Sequence, residues 1–142
     1  MRKLIILFVC LTMSLHACKS QLTNQKINKK REGLWIEKYS QDSANYKSIG
    51  KYKNDDPIKK WRYYLDGKLI KKEKYKDNSC FTRIYHENGK IQSKGTTVLD
   101  NSAKYAHWYY TSNWKFYNNK GKLIVQREYE KGNLISEIII KK

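Results

Sequence analysis

The sequence predicts an all-β fold, repetitive antiparallel β-hairpins forming an elongated sheet, after an N-terminal signal peptide. Three observations carry this prediction. From Gly33 onward, short aromatic stretches alternate with turn residues, the pattern of strands joined by tight turns. Glycine-marked turns recur in step along the chain. Nothing beyond the N-terminal segment keeps apolar residues at sustained helical spacing, although the stretch 98–108 has room for a short helix.

The N-terminus runs Met1, Arg2, Lys3, then the apolar stretch Leu4 to Met13, then Ser14-Leu15-His16-Ala17-Cys18. This is the three-part layout of a signal peptide. A membrane-spanning helix needs roughly 20 apolar residues, and this stretch holds ten. An ordinary signal peptidase wants small residues at positions −1 and −3; Ala17 fits and Leu15 does not. Leu15-His16-Ala17-Cys18 instead resembles a lipobox, with a leucine three residues before a cysteine and a small residue directly before it. The resemblance implies cleavage before Cys18 and lipid attachment at Cys18, so that residues 1–17 are a lipoprotein signal peptide. His16 is an uncommon residue at its position. Of the three cysteines, Cys10 would leave with the signal peptide and Cys18 would carry lipid. Cys80 is then without a partner, a small semi-buried hydrophobe in a chain that an oxidising compartment would have to accept without disulfides.

The chain has 30 basic and 13 acidic residues. Two of the basic residues fall in 1–17, so 28 against 13 leaves +15 for the mature chain. Such a field attracts polyanions, unless the lysines serve only to keep an exposed sheet soluble. Export makes nucleic acid an unexpected partner. Anionic lipid, acidic envelope polymer and envelope proteins remain.

Residues 18–32 read as the lipidated cysteine and a basic flexible tether: residues 19–31 contain five basic residues, no acidic ones and little that is apolar. Residues 33–142 form the repeat domain. In it Lys60-Trp61-Arg62-Tyr63-Tyr64-Leu65 leads into Asp66-Gly67 and Lys68-Leu69-Ile70 follows, with the Asp-Gly pair suited to a type I′ turn. Phe81 to Glu87 leads into Asn88-Gly89 and Lys90-Ile91. Trp114-Lys115-Phe116-Tyr117 leads through Asn118-Asn119-Lys120 to Gly121 and Lys122-Leu123-Ile124. Gly67 and Gly89 are 22 residues apart, and Gly89 and Gly121 are 32 apart, which places an insertion of about ten residues around Leu99 to His107. Tyr52, Tyr75 and Tyr129 keep step with the repeat. A period of this size marks stacked supersecondary units, and one hairpin alone is marginal in water, so neighbours must bury one another's faces.

Tyr-x-x-Gly segments alternating with aromatic strands and Asn-Gly-Lys-Leu turns resemble the MORN-type repeats of the YwqK antitoxin-like family, over roughly residues 33–135. The resemblance implies a MORN-like meander and opens the possibility of an antitoxin or immunity role. Where that pattern usually carries glycine after Tyr-x-x and before the tryptophan, this chain has Asp55 and Lys60, and its first unit, Gly33 to Tyr52, lacks the Asn-Gly-Lys turn.

No catalytic constellation stands out, and no cofactor-binding or metal-ligating set. His86 and His107 lie in different units without metal-ligand spacing, and His86 reads as a strand surface residue. Asp55, Asp56, Asp66 and Asp77 fall at turns, where aspartate forms local backbone hydrogen bonds. What remains is an aromatic and basic array: Trp61, Arg62, Tyr63, Arg83, Tyr85, Trp114, Lys115 and Tyr117. Alternation puts Trp61 and Tyr63 on one face and Arg62 and Tyr64 on the other. Rings beside cations, such as Trp114 next to Lys115, are where binding is expected. The expected function is that of a membrane-anchored, non-catalytic lipoprotein that binds an envelope protein or an anionic envelope component. The alternative is an antitoxin or immunity-like protein that neutralises a cognate toxin at the cell envelope. The expected location is the outer membrane, facing the periplasm, in a Gram-negative cell, and otherwise the cell membrane.

Overall fold

Ten strands follow one another with almost nothing between them but turns. They are β1 (Gln25–Ile27), β2 (Lys30–Gln41), β3 (Ala44–Lys53), β4 (Asp56–Leu65), β5 (Lys68–Lys76), β6 (Ser79–Tyr85), β7 (Ile91–Asp100), β8 (His107–Tyr117), β9 (Leu123–Glu130) and β10 (Asn133–Ile139). The computed structural model describes residues 22–102 and 105–141; the signal segment and Cys18 lie outside them. All ten strands belong to one open sheet in sequence order, each antiparallel to the next. No helix occurs among the described residues, and the insertion after Val98 lengthens the β7–β8 hairpin instead.

The turns explain the meander. Left-handed residue pairs close the hairpins at Asn28-Lys29, Asp42-Ser43, Asn54-Asp55, Asp66-Gly67 and Lys131-Gly132, the backbone of a type I′ turn whose twist suits the flanking strands. The Asn88-Gly89 turn is built differently. Only Gly89 is left-handed, at φ 78°; its N–H donates to the His86 carbonyl at 2.9 Å, and the His86 N–H donates to the Lys90 carbonyl at 2.8 Å. That is a type I turn followed by a left-handed glycine. The loop through Gly121 repeats it, with Asn118 and Lys122 in the places of His86 and Lys90.

The stretch expected to be a tether is ordered structure from residue 25. β1 pairs with β2 from Gln25↔Glu32 to Ile27↔Lys30. Two devices hold it. The Asn24 side chain accepts from the Ile36 N–H at 2.7 Å and donates to the Ile36 carbonyl at 2.9 Å, as a neighbouring strand would. Asp55 accepts from the Arg31 N–H at 2.9 Å and donates its own N–H to the Arg31 carbonyl at 3.2 Å. The sequence shows only lysine and asparagine there, and the partners that order them come from elsewhere in the chain.

Directly opposed residues share a face, so the register sorts the side chains. Ser48 opposes Tyr63, Trp61 opposes Glu73, Tyr75 opposes Cys80 and Thr82 opposes Gly95. This is the ring face, and it holds the buried residues Trp61, Cys80, Trp114, Ser48, Thr82 and Ser93. Two copies of one device build it. Trp61 lies against Gly50, where an added Cβ would meet its ring at 1.9 Å, and Trp114 lies against Gly95 at 2.2 Å. In each, the indole N–H donates to the carbonyl of the residue after the glycine: Lys51 at 3.2 Å, Thr96 at 3.0 Å. In each, the strand bearing the tryptophan bulges, with a left-handed residue two positions earlier, Lys59 at φ 60° or Ser112 at φ 57°. Burying an indole removes roughly 150–250 Å² from water and contributes about 4–6 kcal/mol, which makes these two residues the main anchors of a sheet with no second layer among the described residues.

Candidate functional site

The two faces differ in how charge is handled. On the ring face Glu37, Glu73 and Glu137 each pair with a cation. Glu73 accepts from the Tyr63 hydroxyl at 2.5 Å and the Tyr75 hydroxyl at 2.8 Å, and its other oxygen meets Lys71 Nζ at 2.8 Å. Burial, followed by the contact with Glu73, pushes the Tyr63 hydroxyl far above its ordinary range; burial, with Tyr63 and Glu73 beside it, does the same to Tyr75. A cavity of about 350 Å³ opens here between Glu73, Trp108, Tyr110 and Trp114. Glu73 thus organises Tyr63 and Tyr75 around one of its oxygens. Glu37 accepts from the Ser48 hydroxyl at 2.9 Å and pairs with Arg31 at 3.7 Å. Arg127 pairs with Glu137 at 2.5 Å and stands 4.9 Å over Phe116.

The opposite face is cationic. One row of directly opposed residues crosses the sheet from β2 to β10: Ile36, Ile49, Arg62, Lys72, Arg83, Lys94, Lys115, Gln126, Ile138. Its five central members, on the five consecutive strands β4–β8, are all cations. None of the ion pairs among the described residues includes any of them. Rings flank them: Lys72 Nζ is 5.4 Å from the Tyr85 ring centre, the Arg83 guanidinium 5.1 Å from Phe81, and Lys94 Nζ 5.4 Å from Tyr117. Beside the row, a basin of about 540 Å³ is lined by Lys51, Lys59, Lys60, Lys74 and Lys76 together with Arg62.

The structure divides the sequence-derived array. Trp61, Tyr63 and Trp114 belong to the ring face, whereas Arg62, Arg83, Tyr85, Lys115 and Tyr117 lie on the cationic face, as alternation predicted for residues 61–64. Trp114 is 2% exposed and is a structural anchor; it does not share a binding surface with Lys115. His86 is not a plain surface residue, because its ring donates to the Tyr117 carbonyl at 2.9 Å and ties the β6–β7 loop to the end of β8. Asn88 reinforces this by donating to the Asn119 carbonyl at 2.7 Å. His107 opens β8, with its ring 5.8 Å from Tyr109. No group of three His, Cys, Asp or Glu side chains suited to a metal occurs among the described residues. Asp55 and Asp66 are turn residues, as expected, and each also grips the backbone of a neighbouring hairpin. Cys80 is fully buried, its thiol pushed up by burial. The row of cations went unseen in the sequence, since nothing there aligns Lys72 with Arg83 before the register is known. Comparison with family models, with curated proteins and with solved structures finds no match for this chain.

Proposed function

We propose that this chain is a membrane-anchored, non-catalytic lipoprotein, lipidated at Cys18, whose basic β-repeat module binds an anionic component of the cell envelope or an envelope protein. The observation that carries this reading is the five-strand row of cations without carboxylate partners among the described residues, on a sheet whose other face pairs Glu37, Glu73 and Glu137 with cations. Like charges directly opposed across strands destabilise a sheet, so a surface that keeps four such pairs in succession favours an anion laid over it. The lipobox-like Leu15-His16-Ala17-Cys18 supports placing that surface at an envelope membrane. The lysine after Cys18, in place of the aspartate of an inner-membrane retention signal, supports the outer membrane in a Gram-negative cell.

Two experiments test this. Mature protein lacking its lipid binds anionic vesicles or acidic envelope polymer at low salt and releases most of it near 0.15 M salt, where charges are screened beyond about 8 Å. Absence of binding even at low salt means that the charge serves only solubility. Cys18→Ser abolishes incorporation of labelled palmitate, and lipid labelling of the variant contradicts the anchor. The immunity-like alternative draws on the resemblance of residues 33–135 to antitoxin-like repeats. Retention of one protein partner at high salt, with no affinity for anionic vesicles or polymer, puts that alternative first.

A further inference from the structure

The geometry points to a linear acidic polysaccharide, one carboxylate per sugar, as the ligand of the cation row, lying across the strands from β4 to β8. This inference rests on the anion-binding reading and narrows it to one polymer class.

Three features of the row select such a ligand. Its charges are collinear: Arg62, Lys72, Arg83, Lys94 and Lys115 oppose one another strand by strand. With adjacent strands about 4.8 Å apart, they form a line of about 19 Å with one charge per strand. The line is bounded, because the row continues into Ile49 and Ile36 on one side and Gln126 and Ile138 on the other. Finally, Phe81, Tyr85 and Tyr117 stand among the cations, half-buried, offering ring faces to the apolar face of a sugar while the ammonium and guanidinium groups meet its carboxylates.

The rings among the cations separate this ligand from others of the same sign. An extended acidic peptide presents same-side carboxylates every second residue, about 6.7 Å apart, and brings no sugar face to the rings. A hexuronate chain carries both the carboxylates for the cations and the apolar sugar faces for Phe81, Tyr85 and Tyr117. An anionic bilayer is a plane of mobile headgroups with no line in it, so it weighs every exposed cation on the face alike, on the row or off it.

The test uses the full chain in neutral detergent micelles and measures affinity for sodium polygalacturonate, for poly-L-glutamate and for vesicles of mixed neutral and anionic phospholipid. Two variants remove equal charge. Arg62→Gln with Arg83→Gln and Lys94→Gln strips the row, and Lys38→Gln with Lys47→Gln and Lys76→Gln strips exposed sites of the same face away from it. At low salt the row variant loses more than tenfold in affinity for polygalacturonate and the off-row variant less than about threefold. Wild-type chain prefers polygalacturonate to polyglutamate of equal charge. The row variant also melts no lower than wild type, since removing opposed like charges relieves repulsion, so its loss of binding is not a loss of fold. Equal losses in the two variants, or equal affinity for the two polymers, overturn the polysaccharide assignment. Binding to anionic vesicles without binding to polygalacturonate overturns it too, while leaving the anion-binding function standing. Binding to none of the three at low salt removes both.

Discussion

Gly50 and Gly95 each give up a side chain so that an indole can lie against the backbone of the neighbouring strand. Because Trp114 is buried and hydrogen-bonded to Thr96, it cannot swing away from a new methyl group. Gly95→Ala therefore lowers stability by about 1–3 kcal/mol, the range for overpacking a fitted core. Thermal denaturation followed by circular dichroism measures it, and an unchanged melting temperature contradicts the Trp–Gly device. Tyr63 and Tyr75 make a second prediction. Their folded pKa values lie above the unfolded value of 10.0, so below about pH 10 both states are protonated and these groups leave stability unaffected. Above it the unfolded chain loses protons that the folded chain keeps, and stability falls as pH rises. In an alkaline titration read by tyrosinate absorbance, these two residues ionise together with unfolding; a tyrosinate signal from all tyrosines before the β signal is lost contradicts this. The sequence reveals that Trp61 and Tyr63 share a face, because alternation is local. It does not reveal whether Trp114 is an anchor or part of a binding surface, because that depends on Gly95, nineteen residues earlier.

The elements are defined by their turns, and where those turns carry glycine they are legible. Asp66-Gly67, Asn88-Gly89 and Gly121 all mark hairpins, and Tyr52, Tyr75 and Tyr129 each lead into one. Asn28-Lys29 and Asp42-Ser43 reach the left-handed region without glycine and leave no comparable mark, which is one reason the β1–β2 hairpin reads as a tether. Asp55 is informative in another way. It stands where the resembling repeats usually carry glycine, and its φ of 73° shows why glycine suits the position. Aspartate holds it here by gripping Arg31. At Gly89 the added Cβ meets nothing within 4 Å, so Gly89→Val tests backbone conformation alone. It costs about 1–3 kcal/mol without displacing a packed side chain. A variant as stable as wild type in urea denaturation contradicts the left-handed turn.

At the scale of the whole molecule, the sheet separates its charges. Glu37, Glu73 and Glu137 pair with cations on the ring face, and the row from Arg62 to Lys115 is left without carboxylates on the other. Net charge is visible in a composition; its allocation to faces is not. The five cations lie 10, 11, 11 and 21 residues apart, and bulges at the two tryptophan strands shift the parity on which any count from the sequence would depend. On the proposed function, the cationic face is the one covered in the cell envelope. Lysine acetylation footprinting, comparing intact envelopes with the purified chain, tests it most directly. Lys72, Lys94 and Lys115 should lose reactivity several-fold in envelopes while Lys26, Lys68 and Lys122 keep theirs; equal reactivity throughout, or protection of Lys71 on the ring face instead, would contradict the claim.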